Sequence, residues 1–311
     1  MKSGVVALVG RPNVGKSTFL NCVLQEQISI VTPKAQTTRD QVRGIRTEER
    51  GQIVFVDTPG IHRAKEGGIN EYMIQEVKRA LDHPDLVLYL IDPGSKPEAE
   101  SRVLEHLTGV DSRLIVVVNK SDLLKRSPDS GSWIGPWIEN VRKEISGTRL
   151  HYLDSVRIAA GRNEGVDPLL SMIFENLPEG APLYDDPDSL TDRPLRFVVS
   201  ELIRKQLFMN LGDELPYSCA VEIESFKDRM KPVRISALIH VERESQKGMV
   251  IGAKGQKIKE IGTKAREEIE ALMGERIFLE LRVKVSESWT SEARKMKGLG
   301  YALEKPKKDH R

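Results

Sequence analysis

Residues 10–17 read Gly10-Arg11-Pro12-Asn13-Val14-Gly15-Lys16-Ser17, with Thr18 next. This is the full G-x-x-x-x-G-K-[ST] spacing of a phosphate cradle. A loop framed by glycines can turn its backbone N–H groups inward around an anion, and Gly10 and Gly15 permit that tight path. Lys16 then places a point charge on the β and γ phosphates of a nucleotide, and the Ser17 hydroxyl can ligate Mg²⁺. A helix opening near Lys16 adds its positive end. Asp57-Thr58-Pro59-Gly60 supplies a carboxylate for a magnesium-bound water. Its Gly60 N–H can meet the γ-phosphate and sense whether it is present. Asn119-Lys120-Ser121-Asp122 adds base selection. The Asp122 carboxylate can accept from N1–H and the 2-amino group of guanine, whereas adenine offers neither donor. The Lys120 stem can cover the face of the base. Together these segments imply GTP and Mg²⁺ rather than ATP.

The three segments work only if a scaffold brings them to one edge. Short continuous apolar runs over 4–10, 53–57, 86–92 and 113–119 read as strands covered on both faces. Helical patterns lie between them, near 16–25, 69–82, 97–108, 133–146 and 165–177. Such alternation predicts a mostly parallel sheet with helices on both faces. Residues 41–48 suit an edge strand, and a last strand is expected over 151–158. Each motif follows an apolar run, which places it at the carboxyl edge where ligands bind. This first domain is assigned to 1–178. The proline- and aspartate-rich residues 179–193 are read as a linker.

Beyond the linker the order changes to α-β-β-α-α-β-α over residues 194–300. Helices are expected near 194–209, 245–251, 256–272 and 291–298, and strands near 217–226, 233–243 and 276–285. Gly252-Ala253-Lys254-Gly255 joins two of these helices. By itself G-x-x-G means little. Between two helices that follow two strands, it has the arrangement of a KH module, whose loop presses backbone N–H groups onto nucleic acid. Ile251, Lys254 and Lys257 then belong to the contact, with Lys259 and Lys264 further along the helix. Val250, Ile251 and Ile258 are candidates to flank a groove for unstacked bases. The competing reading is a plain turn with a solvated lysine face. Trp289 is expected to be a core anchor for the last helix rather than a stacking platform. Residues 301–311 are assigned to a tail, whose last part, KPKKDHR, reads as frayed.

Composition narrows the class. The net charge is +2, but it divides into about −4 before residue 190 and about +6 from there on. That asymmetry is a mild pointer to nucleic acid binding by the last part. The longest apolar runs, Leu86–Ile91 and Leu114–Val118, are far short of a membrane span. The N-terminus does not read as a secretory signal. Cys22 and Cys219 are the only cysteines and build neither a disulfide framework nor a zinc site. Both are expected to be small buried thiols.

The motif set resembles that of the translation-factor-related GTPases. Over nearly its whole length the chain is similar to the Era family of bacterial GTPases, which carry a C-terminal KH domain. The segments GRPNVGKST, KAQTTRD, VDTPG, NKSD, ELPYS, VERESQKGMVIGAKGQKIKEIG, LELRVKV and LGY carry that resemblance. It implies an α/β P-loop GTPase domain followed by an α+β type II KH domain. It implies that Thr38, rather than Thr37, joins Ser17 and Asp57 at the magnesium. Lys16, Thr38 and Gly60 then form the catalytic set. The nucleotide is enclosed by Gly10, Asn13, Val14, Gly15, Lys16, Ser17, Thr18, Asp57, Gly60, Asn119, Lys120, Asp122, Ala159 and Ala160.

The implied partners are small-subunit ribosomal RNA near its 3′ end and the small ribosomal subunit, whose assembly the protein would assist. The implied location is cytoplasmic, with some peripheral association at the inner face of the membrane. A monomer is expected, since no dimerisation segment is visible. Two departures stand out. Ile158-Ala159-Ala160 replaces the usual Ser-Ala pair, so guanine O6 would rely on a backbone N–H. Ile61 stands where many such enzymes place a water-positioning Gln, which predicts slow intrinsic turnover. Asn13 either helps hold an activating K⁺ or only stabilises the loop. The alternative reading is a membrane-associated signalling GTPase whose last domain binds a partner other than RNA.

Overall fold

The computed structural model describes residues 1–62, 67–124 and 131–304. The chain divides into two compact units. The first holds the described residues of 1–31, 38–64 and 76–192; the second holds those of 32–37, 65–75 and 193–311.

In the first unit, six strands form one sheet: β1 (Lys2–Gly10), β2 (Val42–Glu48), β3 (Gly51–Asp57), β4 (Leu86–Ile91), β5 (Ser112–Val118) and β6 (Leu150–Arg157). Their order is β2-β3-β1-β4-β5-β6. All neighbours are parallel except β2, which pairs antiparallel with β3. The chain elements α1 (Lys16–Leu24), α2 (Gly68–Ala80), α3 (Pro97–Leu107), α4 (Ile134–Ile145) and α5 (Val166–Asn176) punctuate the strands. Every residue of β3 and β4 is buried. This explains why those strands read as continuous apolar runs rather than as alternations. One face packs Val87, Tyr89, Val103, Leu107, Val116, Trp137 and Val141 into a single core cluster. The order turns around at β1, which lies between β3 and β4. The loop after β1 therefore opens into the crevice where such sheets bind ligands.

The proline- and aspartate-rich stretch is not a free tether. Ser3 N donates to the Pro178 carbonyl, and Gly180 N to the Met1 carbonyl. The Gln52 side chain accepts from the amides of Leu183 and Tyr184 and donates to the Tyr184 carbonyl. Ile45 N donates to Leu190 O. Unpaired backbone at the β2 edge and a buried glutamine thus fix a segment that composition alone reads as loose. Cys22 also departs from expectation: it is half-buried, whereas Cys219 is buried.

The second unit contains α6 (Leu195–Asn210), β7 (Ala220–Lys227), β8 (Val233–Val241), α7 (Glu244–Ile251), α8 (Gln256–Met273), β9 (Ile277–Val285) and α9 (Ala293–Gly298). Its sheet runs β7-β8-β9, with β7 antiparallel and β9 parallel to β8. The period of two is clear here because only one face is covered. Val233, Ile235 and Ala237 turn inward onto Val199, Ile203, Ala265 and Ile269 of α6 and α8. Trp289 is fully buried with Ala220, Met296 and Tyr301, and its Nε1 donates to Ser218 O at 2.8 Å. It is a core anchor, as expected. Residues 305–311 of the tail lie outside the described residues. Among the described residues no helix is long and apolar enough to cross a membrane.

Candidate functional site

The cradle follows β1 directly and caps α1. Gly15 adopts φ +96°, and an added Cβ would lie 2.3 Å from Asn119 Nδ2. Both the left-handed backbone and that close approach require glycine. Asn119 Nδ2 donates to Val14 O at 2.8 Å, so the base-side loop after β5 braces the cradle. Lys16 is buried, and its Nζ donates to Gly10 O at 3.1 Å and Arg11 O at 2.9 Å. Burial pushes its ammonium down to about 8, against the opposing charges of Asp57 and Glu100. A desolvated cation in such a loop is what an anionic phosphate would satisfy. Asn13 is exposed with φ +64°. Thr18 follows Ser17 in the first turn of α1.

Beside the cradle, four oxygen-bearing side chains converge. Ser17 Oγ donates to Asp57 Oδ2 at 2.6 Å and lies 3.1 Å from Thr38 Oγ1. Ser29 Oγ donates to the same Asp57 oxygen at 2.8 Å. Asp57 is fully buried, and its Oδ1 has no hydrogen-bond partner among the described residues. Burial pushes this carboxyl up, while Lys16 and the Ser17 and Ser29 hydroxyls hold it back. An orphaned carboxylate oxygen beside two hydroxyls fits a small hard cation such as Mg²⁺. The neighbouring Thr37 hydroxyl is committed elsewhere, to Thr32 Oγ1 at 2.7 Å and Lys34 O at 3.0 Å. Thr38 is therefore the threonine that the structure brings to Ser17. Among the described residues no three His, Cys, Asp or Glu side chains cluster for a metal. The loop after Asp57 is tied to the cradle by Ile61 N, which donates to Gly10 O at 3.1 Å. Gly60 thus sits at the mouth of the cradle.

On the base side, Lys120 takes φ +53°. Its Nζ reaches Asn13 O at 2.5 Å and Asp92 Oδ2 at 3.2 Å. Asp122 is paired with Arg162, Nε to Oδ2 at 3.3 Å. The Ala160 amide donates to Asn119 Oδ1 at 3.0 Å, and the Ala159 amide donates to Glu164 O at 2.9 Å. Both amides already donate within the protein, and Ala160 serves to orient Asn119. Arg162 escaped the sequence reading. A lone arginine after Ala-Ala-Gly carries no spacing signal that marks it as a partner of Asp122.

In the second unit, α7 ends at Ile251 and Gly252 takes φ +71°, where an added Cβ would lie 2.5 Å from Lys257 Cβ. Ala253–Gly255 forms a single 3-10 turn, with Lys254 at φ +50°. Ala253 and Lys254 are exposed. Glu260 takes both Lys257, at 3.0 Å, and Lys264, at 2.8 Å. The outward positive charge beside the loop is therefore carried by the exposed Lys254 and Lys259. Val250 does not flank a groove; it is fully buried against Leu207, Cys219, Ile239 and Ile261. A concavity does lie between α8 and β9. It measures about 350 Å³ and is lined by Ile258, Lys259, Gly262, Arg266, Leu279 and Leu281, among others. Helical spacing at 258, 262 and 266 against strand alternation at 279 and 281 is a sequence signal that could have found it, but only Ile258 of that set is read as an edge.

A family model described as 50S ribosome-binding GTPase matches residues 5–120, and one for the KH domain matches residues 214–290. The GTPase Era of Geobacter sp. (strain M21) is 44% identical over 302 residues, covering 96% of this chain and 98% of that protein. That of Thermoanaerobacter sp. (strain X514) is 43% identical over 307 residues and covers 98% of each. The chain belongs to the Era family of GTPases. It is an enzyme that hydrolyses GTP, built as a GTPase fold followed by a KH fold. Solved structures of the family are similar over 97% of the chain. Era of Aquifex aeolicus, a point variant bound to GDP and AlF4⁻, superposes with a TM-score of 0.86 at 37% identity, covering 97% of this chain and all of that one. An Era complex with MgGDPNP and nucleotides 1506–1542 of 16S ribosomal RNA gives the same TM-score at 38% identity and the same coverage.

Proposed function

We propose that this GTPase binds the 3′ end of small-subunit ribosomal RNA through its KH module and assists assembly of the small subunit. The observation that carries this reading is the turn at Gly252–Gly255, set beside an apolar, basic-edged groove. It occurs in a chain similar over 97% of its length to the Era found with a 16S ribosomal RNA segment. Domain boundaries at 178 and 194, with 179–193 joining the two parts, suit this division of labour. An assembly role in turn implies action in the cytoplasm, as a monomer.

Each residue in the first unit then has a chemical task. Lys16 neutralises the β and γ phosphates. Ser17, Thr38 and Asp57 would hold Mg²⁺, whose charge would offset the negative charge that builds on the leaving GDP. The Gly60 amide meets the γ-phosphate. Asn119 and Asp122 read the base, with Arg162 steadying the Asp122 carboxylate. Ile61 is buried and cannot orient a water. Turnover without an activator is therefore slow, and K⁺ held near Asn13 is the candidate activator. GTP, through contacts that GDP lacks, favours the RNA-binding arrangement.

The test of the RNA contact is a double change in the turn. Gly252→Asp with Gly255→Asp puts two negative charges, and a Cβ against Lys257, where a phosphodiester would approach. Affinity for a single-stranded RNA from the 3′ end is expected to fall about 100-fold, while GTP hydrolysis is unchanged. Retained RNA binding by the folded variant would remove the Gly252–Gly255 turn from the RNA contact, and no RNA binding by the unaltered protein would instead favour a signalling GTPase whose last unit takes a different partner.

A further inference from the structure

Glu100 lies in α3, is fully buried, and has no part in the roles assigned above. A carboxylate in such a place is costly unless its oxygens are served, and both are. Oε2 accepts from the Tyr89 hydroxyl at 2.7 Å, and Oε1 accepts from the Ser95 hydroxyl. Tyr89 in turn accepts from Trp137 Nε1 at 3.2 Å. Ser95 accepts from Arg11 Nη1 at 2.6 Å. Burial pushes the Glu100 carboxyl up, while the two hydroxyls and the Arg11 charge hold it back.

The direction of this relay is forced. A guanidinium only donates, and a hydroxyl has one proton. With Arg11 donating to Ser95 Oγ, the Ser95 proton is left for Glu100. The line therefore runs one way, from Arg11 through Ser95 to a carboxylate that must accept. Its other end is the catalytic loop itself, because the Arg11 carbonyl accepts from Lys16 Nζ at 2.9 Å. Ser95 sits in the loop after β4, pinned by its amide to Asp92 O at 3.0 Å. Asp92 in turn accepts from Lys120 Nζ at 3.2 Å, so on its other side the same loop adjoins the base-reading segment.

We propose that Ser95 and Glu100 are positioning residues for the phosphate cradle, fixing Arg11 and, through its carbonyl, aligning Lys16 with the phosphates. This rests on the reading of Lys16 as the phosphate-binding ammonium. The experiment compares Ser95→Ala, Ser95→Thr, Arg11→Ala, the Ser95→Ala/Arg11→Ala double variant and Lys16→Ala for kcat, KM and Tm. Ser95→Ala is expected to lower kcat about tenfold with KM nearly unchanged, the pattern of a contact used in the transition state. Ser95→Thr, which restores the hydroxyl, should recover kcat to within about twofold of wild type. In the double variant, loss of Ser95 should add nothing to the loss from Arg11→Ala, because both cut one line. The proposal is overturned if Ser95→Ala keeps wild-type kcat, if the two losses multiply, or if Ser95→Thr does not recover activity. Full activity of Lys16→Ala would overturn the underlying assignment of Lys16 instead, which separates the two failures.

Discussion

Lys16→Ala is expected to lower kcat/KM for GTP about 10³-fold, the scale of removing one preorganised charge from a forming anion. The physical reason is burial. The ammonium is out of water, held by two carbonyls of its own loop, and pushed down to about 8. Phosphates that arrive beside it gain a nearly unscreened partner, and the gain grows as negative charge builds on the oxygens. The sign of the pH dependence follows. The ammonium is charged below about 8 and phosphates bind its charged form. Wild-type affinity for GDP therefore falls as pH rises through that value, while Lys16→Ala shows no such step. Phosphate release under steady state and GDP titration from pH 7 to 9.5 check both parts. A loss under about tenfold would mean that the loop amides alone hold the phosphates.

Asp122→Asn is expected to change the base. The carboxylate accepts from two donors on guanine, and asparagine replaces one acceptor oxygen with a donor nitrogen. Xanthine carries a carbonyl where guanine has its 2-amino group, so the new donor suits it. The ratio of kcat/KM for GTP to that for XTP should drop about 10³-fold. Arg162, 3.3 Å from Asp122 in this structure, loses its charged partner as well. That pair is half-exposed and contributes little to folding, so the variant should keep its Tm. Unchanged preference for GTP in a folded variant would remove Asp122 from base selection.

Much of this site is legible in the sequence. The cradle, the Asp57 loop and the Asn119 loop each sit on a short segment with fixed chemistry, and each follows a strand whose buried faces leave a continuous apolar run. The turn at Gly252 was legible because glycines stand where helices stop. What escaped depends on contacts distant in sequence. Glu100 looks like one more charge in the first turn of an amphipathic helix, and only folding brings it to Ser95 and Arg11. Val250 reads as a groove edge from its place before the turn, yet α7 turns it into the core. The 179–193 stretch reads as loose because composition does not reveal that Gln52 is buried and takes backbone partners there. Cys22 lies on α1 close to Asn163, 3.2 Å from its side-chain oxygen, and no local pattern reports that half-buried position.

The most direct measurement is titration of a fluorescent single-stranded RNA, taken from the 3′ end of small-subunit ribosomal RNA, at one fixed salt. The protein is loaded in turn with a non-hydrolysable GTP analogue, with GDP, or with no nucleotide. Salt-sensitive binding at least about fivefold tighter with the analogue than with GDP is the expected result. Equal affinities in all three states would contradict a GTP-controlled RNA contact, and no binding in any state would contradict the RNA partner itself.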